Sequence, residues 1–188
     1  MLLCSEILIA IYRFLPLLQN RLYMAKLYIN KDIVADKDKM ENWYLTGEEG
    51  LSFPDIQNFL SWIDPNDHVI DIEIHSCGGD AVEGYAIYDA LRASGKQISC
   101  TAVGRCASMA TVILLAAAKE RRFAYPHAKF LIHKPYMASY DGDLDLETLE
   151  SIKSNLESEK NKMLALYVER TGSEASVIEA QMNKAGWF

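Results

Sequence analysis

The strongest constraint on the fold of this chain is the alternation of strand and helix signals between residues 52 and 133. His68–Ile74 alternates apolar and polar residues in its second half, as a half-buried strand does, and Gln97–Val103 predicts another strand. Between them, Ala81–Ala93 carries its apolar residues on one helical stripe. Connections of this length between strands predict a largely parallel sheet in an α/β fold.

Local signals predict the remaining elements. A capping serine, an early proline and an acid in the first turn predict a helix from Ser52 to Ile63. Ser108–Ala118 has almost no polar face, so we expect a buried helix there. The other predicted elements are a strand at Lys26–Asn30, a mobile loop over Asp32–Gly50, strands at Arg121–Tyr125 and Lys129–His133, a long charged helix over Asp143–Arg170 and a last helix over Ser173–Lys184.

Composition narrows the classes of function. At 188 residues, half of them apolar, the chain is long enough for one good core, and we expect a single domain over residues 24–188. A net charge of −7 without any run of Lys or Arg argues against nucleic acid as a partner. The four cysteines show neither a C-x-x-C pair nor a metal-binding spacing, which favours buried, reduced thiols, no metal and a cytoplasmic location.

The first 23 residues differ from the rest. Met1–Gln19 is strongly apolar, but it is interrupted by Glu6, Arg13 and Pro16 and so does not predict a membrane span. It also lacks the initial positive charge and the cleavage site of a signal peptide. Two interpretations stay open: an N-terminal extension preceding a true start at Met24, or an amphipathic packing segment.

Three short motifs carry the candidate chemistry. Gly78-Gly79-Asp80 follows a strand, Ser108 begins the buried helix and His133 ends a strand. A serine needs a base to take its proton as it attacks, and an acyl-transfer site needs N–H groups aimed at the oxyanion. The N–H of Met109 and a glycine N–H from another loop can supply these donors. Taken singly, the three motifs also fit a plain helix cap, an ordinary turn and a structural histidine.

Taken together, these motifs resemble a known family. Ile74–Asp89 is similar to the first signature of the Clp protease proteolytic subunit, and Gly104–Ala110 and Leu131–Pro135 are similar to its serine and histidine signatures. The spacings match without gaps, and the similarity runs from about Leu27 to Phe188. The Gly-Gly-Asp form and the Met-Asn…Trp ending resemble the phage and prophage branch, which includes head-maturation proteases.

The resemblance implies a fold and a set of roles. The expected fold is the spiral of β-β-α units that Clp proteases share with crotonases, with a protruding handle helix from Asp143. Ser108 would be the nucleophile and His133 the general base and acid, with the N–H groups of Gly79 and Met109 as the oxyanion hole. No cofactor is implied. The implied partners are a peptide or unfolded protein as substrate, further copies of the chain in a ring, and an AAA+ unfoldase or phage capsid proteins.

The sequence departs from the family pattern in three places. His75-Ser76-Cys77 replaces the usual Asn-Ser-Pro before the glycines, so the turn is less constrained. The aspartate that completes the triad is replaced by Gln181 in a gapless alignment, or by Asn183 in the phage-like spacing. An amide can orient a histidine but stabilises its cation less than a carboxylate does. The chain also ends at Phe188, which makes the C-terminal end short for the family.

The resemblance therefore implies an ATP-dependent, Clp-like serine endopeptidase that forms an acyl-enzyme inside a self-compartmentalised ring. Two alternatives stay open: an inert ring subunit or scaffold, and a CoA-thioester enzyme of the related crotonase fold. The Ser-Met and Ile-His-Lys-Pro motifs favour the peptidase, because a crotonase requires neither. A Ser–Lys dyad through Lys134 is disfavoured, since adjacent strand residues point to opposite faces.

Overall fold

The computed structural model describes residues 24–137, 140 and 142–187, so the predicted extension over residues 1–23 lies outside the described part. The strands are β1 (Met24–Ile29), β2 (Val69–Ser76), β3 (Gln97–Ala107), β4 (Arg122–Ala124) and β5 (Lys129–Leu131). The helices are α1 (Lys39–Thr46), α2 (Phe53–Trp62), α3 (Ala81–Ala93), α4 (Met109–Leu114), α5 (Leu146–Thr171) and α6 (Ala175–Lys184).

The strands form one parallel sheet, as the sequence predicts. Its order is β1-β2-β3-β4, and β5 also pairs with β3. β3 is long enough for both partners: β4 pairs with Cys100–Ala102 and β5 with Arg105–Ala107. The second pairing explains why β3 runs to Ala107, four residues beyond its predicted end, and it brings the end of β5 beside Ser108.

The core lies between this sheet and the helices packed on it. In β2 the isoleucines Ile70, Ile72 and Ile74 are completely buried and alternate with less buried residues, which matches the predicted period of two. α3 buries a stripe of Tyr85, Ile87, Tyr88 and Leu91. α4 is buried over almost its whole length, in agreement with its lack of a polar face.

α4 ends at Leu114, earlier than predicted, and arginine side chains from other elements bond the carbonyls just beyond its end. The guanidinium of Arg170 donates to the carbonyls of Leu115 and Ala117 at 3.0 Å each. Arg122 donates to the Ala117 carbonyl at 2.9 Å. These bonds satisfy acceptors that a helix end would otherwise leave unpaired inside the protein.

The predicted loop over Asp32–Gly50 is wrong in part, because it contains α1. Lys39 at the start of this helix forms ion pairs with Asp55 at 2.7 Å and Asp36 at 3.1 Å. Gly47 ends the helix in the left-handed conformation, a common helix end. The Lys39–Asp55 pair joins residues 16 positions apart, and the local polarity of the segment does not reveal it, so the sequence predicts a loop instead.

α5 corresponds to the long helix predicted over Asp143–Arg170, but it begins at Leu146 and ends at Thr171. The Asp145 side chain accepts a hydrogen bond from the Thr148 N–H at 2.7 Å and caps its start. The buried residues of α5, Met163 and Tyr167, lie in its C-terminal half, which packs against α4 and α6. The first turns are exposed and include Leu146, so this end projects from the core as a handle does.

Candidate active site

The turn between β2 and α3 is held by hydrogen bonds on both sides. The Ser76 hydroxyl donates to the Lys31 carbonyl at 2.7 Å and accepts from the Gly78 N–H at 3.0 Å. The N–H of Ile33 donates to the Gly78 carbonyl and the N–H of Asp80 donates to the Ile33 carbonyl, both at 2.8 Å. The turn is therefore fixed by these bonds, without the proline that the family has at the position of Cys77.

Both glycines of the turn are required by its geometry. Gly78 has a φ of +88°, and a Cβ there would lie 2.7 Å from the Met109 nitrogen and 2.8 Å from the Ser108 Cβ. Gly79 has a φ of +143°, and its Cβ would lie 2.0 Å from the Ile33 carbonyl oxygen. The absence of side chains lets this turn lie directly against the start of α4.

Ser108 occupies a strained backbone conformation, with a φ of +51° and a ψ of −127°. Its N–H donates to the Leu131 carbonyl at 2.9 Å, and its carbonyl accepts from the N–H of Thr111 at 2.9 Å and from the hydroxyl of Thr111 at 2.6 Å. Its own hydroxyl makes no capping bond, so the plain helix-cap interpretation is wrong. Strain of about 1–3 kcal/mol at a non-glycine residue is typical of functional sites.

A buried pair of hydroxyl groups, those of Thr111 and Tyr167, supports the backbone at Ser108. The Thr111 and Tyr167 hydroxyl oxygens are 2.5 Å apart. Since the Thr111 hydrogen is donated to Ser108, Tyr167 is the donor in this pair. Burial raises the pKa of Tyr167, so the phenol stays protonated and keeps this role at neutral pH. The pair ties α4 to α5, the helix that forms one wall of the site.

His133 follows β5 and is held by its own segment. Its Nδ1 lies 2.6 Å from the Lys134 carbonyl oxygen. The ring of Tyr136 is tilted by 41° against the imidazole, with the ring centroids 5.5 Å apart. His133 is half-buried.

The structure brings four of the predicted site residues to one cavity of about 430 Å³: Gly79, Ser108, Met109 and His133. Within the described residues, the N–H groups of Gly79 and Met109 have no hydrogen-bond acceptor, and no hydrogen bond joins Ser108 to His133. Such catalytic bonds often tighten only when substrate is bound. The cavity is also lined by the apolar side chains of Val82, Met137, Leu156 and Met163 and by Asp80, whose carboxylate accepts the Glu83 N–H at 2.9 Å.

The two candidates for the third triad position lie on α6. The Gln181 side chain donates to the Gly186 carbonyl at 3.4 Å, and Asn183 is exposed. Neither is among the described residues that line the cavity. Ile178 and Met182 on the same helix are buried in the core. A role for Gln181 or Asn183 in orienting His133 stays a prediction from the sequence.

The cysteines differ from the prediction of uniformly buried thiols. Cys100 and Cys106 are buried, and burial raises the pKa of each thiol to about 12, so neither can act as a thiolate nucleophile. Cys77 is exposed and lines the cavity beside Gly79. Cys4 lies outside the described residues. Across the described ranges, no group of three or more His, Cys, Asp or Glu residues could hold a metal ion.

These exposures predict selective alkylation. Iodoacetamide is expected to modify Cys77 in the native protein at least tenfold faster than Cys100 or Cys106, because the two buried thiols are both inaccessible and protonated. Peptide mapping by mass spectrometry measures the three rates. Modification of Cys100 or Cys106 at the Cys77 rate without denaturant would contradict the buried placement.

Sequence reasoning missed the backbone supports of the site. Ile33 lies in the predicted loop, yet its N–H and carbonyl hold the glycine turn. Thr111 and Tyr167 belong to different predicted helices, and no sequence signal pairs them. Tyr136 could have been noticed as an aromatic residue three positions after the candidate histidine.

The fold and the cavity define an α/β protein with a serine and a histidine beside unpaired backbone N–H groups. The Clp protease family model matches residues 55–188, and the chain belongs to the Clp protease family. It is similar to the ATP-dependent Clp protease proteolytic subunit 1 of Chlamydia muridarum, with 32% identity over 134 residues that cover 69% of this chain and 67% of that one. The ATP-dependent Clp protease proteolytic subunit of Porphyromonas gingivalis is 31% identical over 137 residues, which cover 71% of this chain and 60% of that one.

A solved structure confirms the predicted fold. An Asn-to-Asp mutant of ClpP1 from Listeria monocytogenes superposes with a TM-score of 0.68, covering 93% of this chain and 86% of that one at 20% identity. This likeness concerns the fold alone. The resemblance to the phage branch stays a prediction. Among the described residues, no helix is both long and apolar enough to cross a membrane.

Proposed function

We propose that this protein is a serine endopeptidase with Ser108 as nucleophile and His133 as general base and acid. The observation that carries the proposal is the backbone conformation of Ser108 together with its free hydroxyl and its neighbours. Its backbone is strained, its hydroxyl is not used as a helix cap, and it shares a cavity with His133 and two unpaired N–H groups. A serine with only a structural role would cap the helix with its hydroxyl and would need no strain.

The chemistry follows from this arrangement. His133 takes the proton of Ser108 as its oxygen attacks the peptide carbonyl, and the N–H groups of Gly79 and Met109 donate to the oxyanion that forms. His133 then gives the proton to the leaving amine, and the acyl group stays on Ser108. A water molecule, deprotonated by His133, attacks the ester, and His133 returns that proton to the Ser108 oxygen as the acid leaves.

The surroundings support a peptide substrate in an extended form. The segments after Gly79 and after Pro135 both border the cavity that contains Ser108. A peptide that lies between two such segments as an added strand is a common mode of peptide binding. A second cavity of about 390 Å³ lies between Lys134–Pro135 and the handle, and Leu156 lines both cavities. The apolar side chains that line the first cavity favour an apolar substrate side chain beside the scissile bond.

Fluorophosphonate labelling tests the proposal directly. The reagent reacts with an activated serine, and we expect it to modify Ser108 and no other serine, as mapped by mass spectrometry. Ser108→Ala should lose the label, while Ser61→Ala, a change at an exposed serine on α2, should keep it. An unlabelled protein, under conditions that label an active serine hydrolase, would favour the inert ring subunit.

The inert-subunit alternative rests on one specific observation: no carboxylate occupies either position predicted for the third triad member. Membership in the Clp protease family favours a peptidase over the CoA-thioester alternative. The cytoplasmic location, an AAA+ unfoldase as the source of ATP dependence and capsid proteins as substrates all stay proposals.

We expect assembly into a homo-oligomeric ring. Large apolar side chains are exposed along the start of the handle and the segment before it, namely Tyr136, Met137, Leu144, Leu146 and Leu149. Exposed apolar patches of this kind mark protein interfaces. Light scattering at micromolar concentration should give a mass several times that of one chain. A stable monomer would contradict both the ring and the enclosed chamber.

A further inference from the structure

His133 is oriented by a group that the sequence does not suggest. Its Nδ1 lies 2.6 Å from the backbone carbonyl oxygen of Lys134. A carbonyl oxygen can only accept a hydrogen bond, so Nδ1 must carry the hydrogen. In the neutral imidazole the lone pair is then on Nε2, which is the tautomer that a general base at this site requires.

The Lys134 carbonyl is itself held in place. Pro135 follows Lys134, and a residue that precedes proline is restricted to extended backbone conformations. The segment begins at β5, whose Leu131 carbonyl accepts the Ser108 N–H at 2.9 Å. Tyr136 lies against the imidazole on the far side of the proline. Nucleophile and base are thus linked through one short stretch of backbone.

We propose that the Lys134 carbonyl is the positioning group for His133 and that the site operates as a Ser108–His133 dyad. This inference rests on the proposed peptidase function. In a triad, a carboxylate fixes the tautomer and also stabilises the imidazolium. The Lys134 carbonyl fixes the tautomer but carries no charge. Gln181 and Asn183 then have no part in orienting the imidazole, in agreement with the Gln181 bond to the Gly186 carbonyl and with the absence of both from the cavity lining.

The tautomer can be measured without any activity. The chain has four histidines, so ¹⁵N-histidine labelling of the Ser108→Ala protein gives few signals, and His133→Gln identifies the signal of interest. We expect the neutral form of His133 to show a protonated Nδ1 and an unprotonated Nε2, the opposite of the tautomer preferred by free histidine. A dominant Nε2–H tautomer would overturn the proposal and would leave serine labelling unaffected.

A substitution tests the part played by the backbone. Pro135→Gly releases the restriction on Lys134 and should move the His133 signals toward those of a mixed tautomer. Pro126→Gly is the matched control, because Pro126 lies in the exposed β4–β5 turn and does not line the cavity. Circular dichroism verifies that both variants fold. Equal His133 signals in the two folded variants would show that Pro135 does not hold the carbonyl and would count against the proposal.

Added carboxylates provide the kinetic test. If the Lys134 carbonyl holds Nδ1, neither Gln181→Asp nor Asn183→Asp should raise turnover of a small peptide ester by more than tenfold. A gain approaching the roughly 10⁴-fold effect of the carboxylate in the worked serine-protease triad would assign the orienting position to α6 and overturn the dyad. Loss of fluorophosphonate labelling in the parent protein, by contrast, would overturn the peptidase function itself.

Discussion

Replacing Ser108 with alanine is expected to lower the turnover of a peptide ester by at least about 10²-fold while leaving the fold intact. In the worked serine protease, removing the whole triad costs about 10⁶-fold in turnover and removing the aspartate alone costs about 10⁴-fold. The ratio of these two losses, about 10²-fold, is what a serine–histidine dyad without the carboxylate still has to lose. The hydroxyl caps nothing, and alanine is strained at this φ to the same degree as serine, so we expect a change in unfolding free energy below about 0.5 kcal/mol.

The combination of the two measurements distinguishes a catalytic serine from a structural one. Ester hydrolysis gives the turnover, and urea denaturation gives the free energy of unfolding. Ser61→Ala on α2 is the control and should leave turnover unchanged. If Ser108→Ala keeps the parent's measurable turnover, Ser108 is not the nucleophile. If it unfolds more easily by more than 1 kcal/mol, its hydroxyl has a structural role.

Replacing Gly78 with alanine is expected to damage both stability and activity. The new Cβ would lie 2.6 Å from the Ala107 carbonyl oxygen and 2.7 Å from the Met109 nitrogen, at a φ of +88°. The left-handed conformation costs about 1–2 kcal/mol, and an overpacked site adds about 1–3 kcal/mol. Relief of the contact moves the Met109 N–H from the position we propose for it in the oxyanion hole, where one donor is worth about 10²–10³-fold in turnover.

Gly95→Ala is the matched control for this change. Gly95 also has a left-handed φ, of +70°, but a Cβ there would meet nothing within 4 Å. The Gly95→Ala variant should therefore lose only the cost of the left-handed conformation, about 1–2 kcal/mol of unfolding free energy, and keep its turnover. Thermal or urea unfolding and ester hydrolysis compare the two variants. Equal losses in Gly78→Ala and Gly95→Ala would show that the glycine turn does not pack against Ser108 as described.

Local sequence was sufficient for most elements of the fold. The alternation in β2 and the apolar stripe of α3 have periods that correspond directly to one buried face. The start of α2 was predicted from Ser52, Pro54 and Asp55, and the Ser52 N–H donates to the Asp55 carboxylate at 2.8 Å. The sequence was less reliable where contacts between distant residues decide the structure. Examples are α1, anchored by the Lys39–Asp55 ion pair, and the end of α4, where Arg170 bonds the Leu115 carbonyl.

The sequence by itself determined the parallel α/β architecture, the family, and the identity of Ser108, His133, Gly79 and Met109 as candidates, because these depend on residue type and spacing. The tertiary structure decided that the four meet at one cavity, that the Ser108 hydroxyl is not spent on a helix cap, and that the Lys134 carbonyl holds the imidazole. Every residue has a backbone carbonyl, so no residue pattern can show which carbonyl is used. Its role follows only from the path of the chain after β5.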